Sequence, residues 1–128
     1  MSSSNILIAL SAIQDNIIAR LRDHYGKTAI IKNVKVTESD CVVGYRIVRE
    51  PDFKFPTCLS VSVIINKQML AGDMIEIFLI YYDNLSWHGN ENFEQPLEDP
   101  NIFDDILTKC AKAIIDFFDN RLSLFIAP

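Results

Sequence analysis

The stretch TCLSVSVIINKQMLAGDMIEIFLIYY, residues 57–82, contains two strand-like runs of different character. In the first run apolar residues alternate with serines, which is typical of an antiparallel strand with one buried and one solvated face. The second run, residues 74–82, is apolar on both faces. Its additional apolar face carries Phe78, Ile80 and Tyr82, interrupted by Glu76. Burial stabilises such side chains by about 1.5–3 kcal/mol each, so we expect both faces of this strand to be covered.

The rest of the chain completes an α+β pattern around this stretch. Two β-branched segments precede it at 28–37 and 41–49, and amphipathic helices are predicted at 4–25 and 101–119, where apolar residues recur every three or four positions. We predict an α+β fold in which an antiparallel four-stranded sheet carries the N-terminal and C-terminal helices on one face. The order is α-β-β-β-β-α, in a single domain of residues 1–128.

Local signals place the ends of these elements. Gly26 stands where a helix C-terminus favours a left-handed residue, and Asn101 is a candidate N-cap of the second helix. Gly44, inside a predicted strand, indicates a bulge or a close backbone approach. Residues 67–73 are predicted as a turn and residues 83–100 as a long loop.

Charge is distributed unevenly along the chain. The sequence has 12 basic and 17 acidic residues, a net charge of −5. The interval 68–108 contains nine acidic and no basic residues, so the remainder carries 12 basic against eight acidic residues. Such a segment repels phosphates, which argues against nucleic acid and favours a basic protein partner. We expect its carboxylates to cluster on one exposed side of the molecule; the alternative is that they only keep the protein soluble.

The same segment carries aromatic residues of the kind that anchor protein interfaces. With the neighbouring acids they define a predicted partner-binding patch, and the alternative is that Trp87 and Phe93 fill the domain's own core. The predicted patch comprises Tyr82, Asp83, Trp87, Glu91, Phe93, Glu94, Glu98 and Asp99. Another copy of the chain is a second candidate cover for strand 74–82, which would give a homodimer or a higher oligomer.

No motif for catalysis, metal or cofactor binding is present. His88 lies near carboxylates, but no nucleophile is paired with it, so we interpret it as a surface histidine. A calcium loop starting at Asp83 would place Glu94 at its twelfth position, yet Leu85 and Trp87 stand where oxygen ligands are required. We predict no catalytic residue, no metal and no cofactor.

The remaining composition favours a soluble cytoplasmic protein. Cys41, Cys58 and Cys110 are odd in number and widely spaced, as expected for reduced thiols rather than a disulfide framework. The N-terminal stretch lacks a basic region followed by a long apolar run, and the longest apolar stretch is too short to span a bilayer. We therefore expect no membrane partner.

Together these observations predict a small, acidic, non-enzymatic module that binds a basic protein. Immunity or antitoxin neutralisers of toxic nucleases and secretion chaperones are similar in size, charge and architecture, although no motif carries the likeness. The alternative is a structural subunit of an oligomeric assembly, such as a phage tail or a secretion ring, whose subunits meet through strand 74–82.

Overall fold

The computed structural model describes the backbone of residues 3–26, 31–50, 58–96 and 100–126, and the side chains of 10–26, 31–50, 58–96 and 104–121. Three helices and five strands follow in the order α1 (Ser3–Tyr25), β1 (Ile31–Glu38), β2 (Val42–Arg49), β3 (Leu59–Asn66), α2 (Lys67–Ala71), β4 (Met74–Asp83), β5 (Ser86–Pro96) and α3 (Pro100–Ile126). The predicted α+β class with an antiparallel sheet is confirmed.

The sheet is an antiparallel meander in which each strand pairs with the next, in the order β1-β2-β3-β4-β5. The prediction of four strands is wrong, because residues 86–96 of the expected loop form a fifth strand along β4. The predicted turn at 67–73 also contains the short helix α2, which Asn66 caps by accepting a hydrogen bond from the Met69 backbone N–H at 3.0 Å.

Strand β5 is held by a tight hairpin turn. Asn84 and Leu85 between β4 and β5 both have positive φ, 48° and 75°, which is the backbone of a type I′ turn. Its twist matches that of paired strands, so the chain returns directly along β4. The sequence hides this strand because asparagine, glycine and glutamate are poor strand formers.

The helix ends agree with the sequence at one position and differ at another. Gly26 has φ 77° and donates its backbone N–H to the Arg22 carbonyl at 2.9 Å, as expected for a left-handed C-terminal residue. Helix α3 starts at Pro100, so Asn101 is inside the helix and is not its N-cap. A proline suits the first helical turn because its missing N–H would have no partner there. The helix continues to Ile126, beyond the predicted end at 119.

The core lies between the helices and one face of the sheet, the inner face. Its side chains come from α1, α3 and every second residue of the strands, and Ile13, Val63, Ile77 and Ile114 are among those with no exposed surface. At Gly44 the predicted close backbone approach is not found: a Cβ there would meet the Thr37 Cγ2 at 3.4 Å, an ordinary van der Waals contact, and the irregularity lies opposite, where β1 bulges between Lys35 and Thr37.

Candidate protein interface

The sheet has a second side, the outer face, which no helix of the described residues covers. Strand register assigns its members, because paired residues project to the same side of an antiparallel sheet. The register places on it Lys32 and Val34 of β1, Arg46 and Val48 of β2, Ser60, Ser62 and Ile64 of β3, Glu76, Phe78, Ile80 and Tyr82 of β4, and Trp87, Asn90, Asn92 and Glu94 of β5.

The apolar side chains of the outer face lie mainly on β4, with serines and Ile64 of β3 beside them. Ile64 pairs with Phe78, Ser62 with Ile80 and Ser60 with Tyr82, and these apolar side chains are only half-buried. At the margins Trp87 is 64% and Val34 52% exposed. Exposed and half-buried apolar side chains on one face of a sheet are a feature that this face shares with protein contact surfaces.

One end of the outer face carries a pair of carboxylates. Glu76 and Glu94 lie directly opposite each other on β4 and β5, where Cβ atoms are about 4.5–5.5 Å apart and like charges destabilise the sheet. The Asn66 side-chain amide donates to Glu76 at 3.2 Å. No lysine or arginine of the described residues forms an ion pair with either carboxylate. Within the described residues, the pair therefore lacks the cation that its geometry favours.

Positive charge on the outer face lies at the opposite corner. Arg46 of β2 is exposed, and its guanidinium carbon lies 6.0 Å from the centroid of the Tyr82 ring. Lys32 of β1 is already paired with Glu50, at 3.0 Å. Arg46 is thus an exposed cation of the outer face, and its guanidinium lies near the ring of Tyr82.

The structure divides the predicted partner-binding patch between two sides. Tyr82, Trp87 and Glu94 lie on the outer face, whereas Glu91 and Phe93 project to the inner side, where they pair with Leu79 and Ile77. The expected single cluster of carboxylates is therefore wrong, because successive residues of a strand face opposite sides. Phe93 does pack against the core, as the alternative proposed, but Trp87 does not.

Asp83 is also removed from the patch, because it is neutralised internally. Its carboxylate accepts from Arg121 of α3 at 2.8 Å, and His88 Nε2, which also contacts Arg121, lies 3.8 Å from it. This group ties the β4–β5 hairpin to α3, and it gives His88 a structural role. Asp104 is likewise paired with Arg20. Glu98 and Asp99 lie outside the described residues.

On the inner side of β5, an open groove of about 440 Å³ separates the strand from α3. Its floor is aromatic, formed by Tyr81, Phe93 and Phe117, and its rim carries two acids and two lysines, Glu91, Asp116, Lys109 and Lys112. Burial and, to a lesser extent, the Glu91 charge raise the pKa of Tyr81 above its usual value. With balanced charge and a wide mouth, this groove selects for no ligand class.

The described residues contain no group of three or more histidine, cysteine, aspartate or glutamate side chains able to hold a metal ion. Burial raises the pKa of the Cys110 thiol to about 12, with a smaller contribution from Glu91, so this cysteine stays protonated and is a poor nucleophile. None of the described helices is both long enough and apolar enough to cross a membrane.

Sequence reasoning missed Glu76, which interrupts the second apolar face of β4. Glu76 becomes a candidate site residue only because Glu94 lies opposite it. That pairing depends on the register of β5, a strand that was not predicted from the sequence. Comparisons with protein-family models, with curated proteins and with solved structures found no match to this chain. The geometry of the outer face therefore carries the functional argument.

Proposed function

We propose that this protein is a non-enzymatic binding module that engages a basic protein through the outer face of its sheet. The observation that carries the proposal is the pair Glu76 and Glu94, two carboxylates held opposite each other without a cation among the described residues. A lysine or arginine of a partner would relieve their repulsion and gain charge-assisted hydrogen bonds. A feature that costs stability in the free protein is typical of a site kept for binding.

The apolar part of the outer face supplies the rest of the contact. Trp87 and Tyr82 are directly opposite each other at the far end from the carboxylates, and large aromatic side chains are the usual anchors of protein interfaces. Phe78 and Ile80 lie between the two ends. The partner is therefore expected to present apolar side chains next to lysine or arginine.

Long-range charge supports the same partner. The net charge of −5 and the absence of lysine and arginine between residues 68 and 108 favour rapid association with a basic surface. Neutralisers of toxic nucleases and secretion chaperones are similar in size, charge and architecture, and both neutralise or carry another protein without catalysis. This likeness defines the type of partner and not its identity.

Comparative affinity capture from the native host tests the proposal. The baits are the wild type, the double variant Glu76→Gln with Glu94→Gln, and Trp87→Ala. The matched control replaces Asp15 and Asp23, two exposed acids of α1, by asparagine and so removes the same charge elsewhere. We expect a basic protein that wild type and control retain and that both outer-face variants lose. With the captured basic protein in purified form, the rate of its association with the wild type should fall as the salt concentration rises.

Retention of the same proteins by all four baits would contradict the proposal. A protein lost equally by the outer-face variants and the α1 control would indicate attraction by net charge alone, which also contradicts a specific site.

A second candidate is a structural subunit of an oligomeric assembly. It is favoured by the spread of exposed apolar side chains across the outer face, with Val34 on β1 at one edge and Trp87 on β5 at the other. Mass measurement separates the two: the assembly requires a ring or polymer of this chain, whereas the binding module requires a monomer or dimer.

A further inference from the structure

We infer that, without its partner, the protein covers its outer face with a second copy of itself, packed face to face about a two-fold axis close to Ile64. The inference rests on the proposed function in taking the outer face as the binding surface. It adds that self-association occludes this surface until the basic partner displaces the second copy.

The strand register makes the outer face self-complementary. Arg46 pairs with Ser62 on β3, and Ile64, the next outer-face residue of β3, pairs with Phe78. Glu76 is the next outer-face residue beyond Phe78 on β4. Ile64 is therefore one strand and one side-chain row from Arg46 in one direction, and one strand and one row from Glu76 in the other. Ile64 therefore lies midway along the diagonal that joins the positions of Arg46 and Glu76 on the sheet.

A two-fold axis in the plane of the interface, passing over Ile64 and perpendicular to that diagonal, exchanges the two ends. Arg46 of each copy then lies over Glu76 of the other, and Ile64 meets its own equivalent. In such an isologous contact every favourable pair occurs twice. Because the axis is diagonal to the strands, the two sheets cross at a large angle, as in orthogonal sheet packing.

The charges of this face are complementary between two copies. Two molecules of net charge −5 repel each other, so a stable contact must bring opposite charges together. On the outer face Arg46 is exposed and the Glu76–Glu94 pair lacks a described cation. The guanidinium of Arg46 from one copy, placed between the two carboxylates of the other, would pair with both of them. A guanidinium suits this role because it is planar and carries several hydrogen-bond donors.

The size of the face suits a dimer. Five strands about 4.8 Å apart and eight residues at about 3.4 Å each span roughly 24 by 27 Å. The area of a face with these dimensions is comparable to the roughly 800 Å² that each partner buries in a standard stable interface. The contact would bury Phe78, Ile80 and Ile64, which the free chain leaves half-buried. Arg46 of the second copy then occupies the place of the partner's cation.

Sedimentation velocity over a concentration series tests the inference. We expect wild type to pass from a 14.6 kDa monomer to a dimer. Arg46→Glu should weaken the dimer by at least about tenfold in Kd, a change of about 1.4 kcal/mol. The double variant Arg46→Glu with Glu76→Arg should recover most of the affinity, because the face is complementary with either sign. Lys112→Glu, an equal charge change on exposed α3, is the control and should leave Kd unchanged.

Crosslinking locates the axis. In a Cys41→Ser background, Ile64→Cys should form an intermolecular disulfide when oxidised with diamide, because at a two-fold axis each thiol meets its own equivalent. Ser60→Cys, on the same strand and face but away from the axis, should crosslink far less. Circular dichroism melts verify that each variant is folded.

A wild type that stays monomeric at every concentration overturns the inference, as does a dimer that Arg46→Glu leaves intact or that Ile64→Cys fails to crosslink. These outcomes concern only contact between copies. Loss of a captured basic protein by the Glu76 and Glu94 variants is measured separately, so either proposal can fail while the other stands.

Discussion

The two faces of β4 are similar in sequence and different in surroundings. Its inner residues Ile75, Ile77 and Leu79 have no exposed surface, whereas Phe78 and Ile80 of the outer face are half-buried. The inner face forms the core with α1 and α3, and the outer face meets no helix of the described residues. The apolar residues on the two sides of this strand therefore differ in role: one side stabilises the domain, and the other side is the surface that we propose binds a second molecule.

Paired alanine substitutions on β4 should separate these roles by the largest margin. Ile77→Ala removes a fully buried side chain and is expected to cost about 2–5 kcal/mol. Ile80→Ala removes one that is half-buried and should cost less than about 1 kcal/mol. Urea denaturation of both variants, in an Arg46→Glu background that prevents the proposed dimer, provides the measurement. Equal costs would mean that the chain's own residues cover the outer face.

The sequence predicted the two-sided character of β4 but not the cover of each side. Alternation in residues 57–66 and the apolar run in 74–82 correctly predicted two adjacent antiparallel strands, the second of which is apolar on both faces. Which side faces the helices follows from long-range packing, because the helical stripes would fit either face of an isolated strand. Trp87 illustrates the limit, since both a core and a surface position were compatible with its sequence context.

Alkaline pH should weaken the helix layer over the inner face. Burial raises the pKa of Cys110 from its ordinary 9.0 to about 12, so the folded state retains a proton that the unfolded state releases. Stability is therefore complete below pH 9 and falls as pH rises toward 12, with a slope from this thiol of at most about 1.4 kcal/mol per pH unit.

Urea denaturation between pH 8 and 10 measures this slope. In Cys110→Ala the slope should be shallower than in wild type. Ile114→Val, another change at a fully buried α3 position without an ionisable group, should lower stability at all pH values and keep the wild-type slope. An unchanged slope in Cys110→Ala would show that the thiol does not control alkaline stability.

The hairpin that brings β5 to β4 contains a residue poorly suited to its backbone. Leu85 has φ 75° and is 92% exposed, so it bears the cost of a left-handed conformation without compensation from burial. Leu85→Gly would create the Asn-Gly sequence that type I′ turns prefer and should raise the free energy of unfolding by about 1 kcal/mol. Leu85→Ala, which removes the apolar side chain but keeps the strain, should give little gain in the same denaturation experiment.

This hairpin also explains why β5 escaped prediction. The dipeptide Asn84-Leu85 lacks the glycine that signals a two-residue turn. The residues that follow it are mostly polar, and none of residues 86–96 is β-branched. The strand is formed because β4 pairs with it from Met74 to Asp83, with one register shift between Tyr81 and Tyr82, and because Phe93 packs against the core. Both are tertiary effects, and the pairing of Glu76 with Glu94, on which the proposed function rests, depends on them.

The smallest expected effect is the most specific to the outer face. Replacing Glu76 and Glu94 together by glutamine removes a like-charge cross-strand pair and should raise the free energy of unfolding by about 0.2–1 kcal/mol. Glutamine keeps an oxygen that accepts from Asn66, so that hydrogen bond is retained. The measurement is chemical denaturation at a concentration low enough to keep every variant monomeric.

A double-mutant cycle distinguishes this repulsion from a general effect of lower charge. Either single substitution already removes the repulsion, so each should give most of the gain, and the double variant should gain less than the sum of the two. Additive gains would place the carboxylates too far apart to interact, and a loss of stability would show that they support the fold. A variant that is more stable yet no longer captures the basic protein would show that the chain retains this pair for binding at a cost to its own stability.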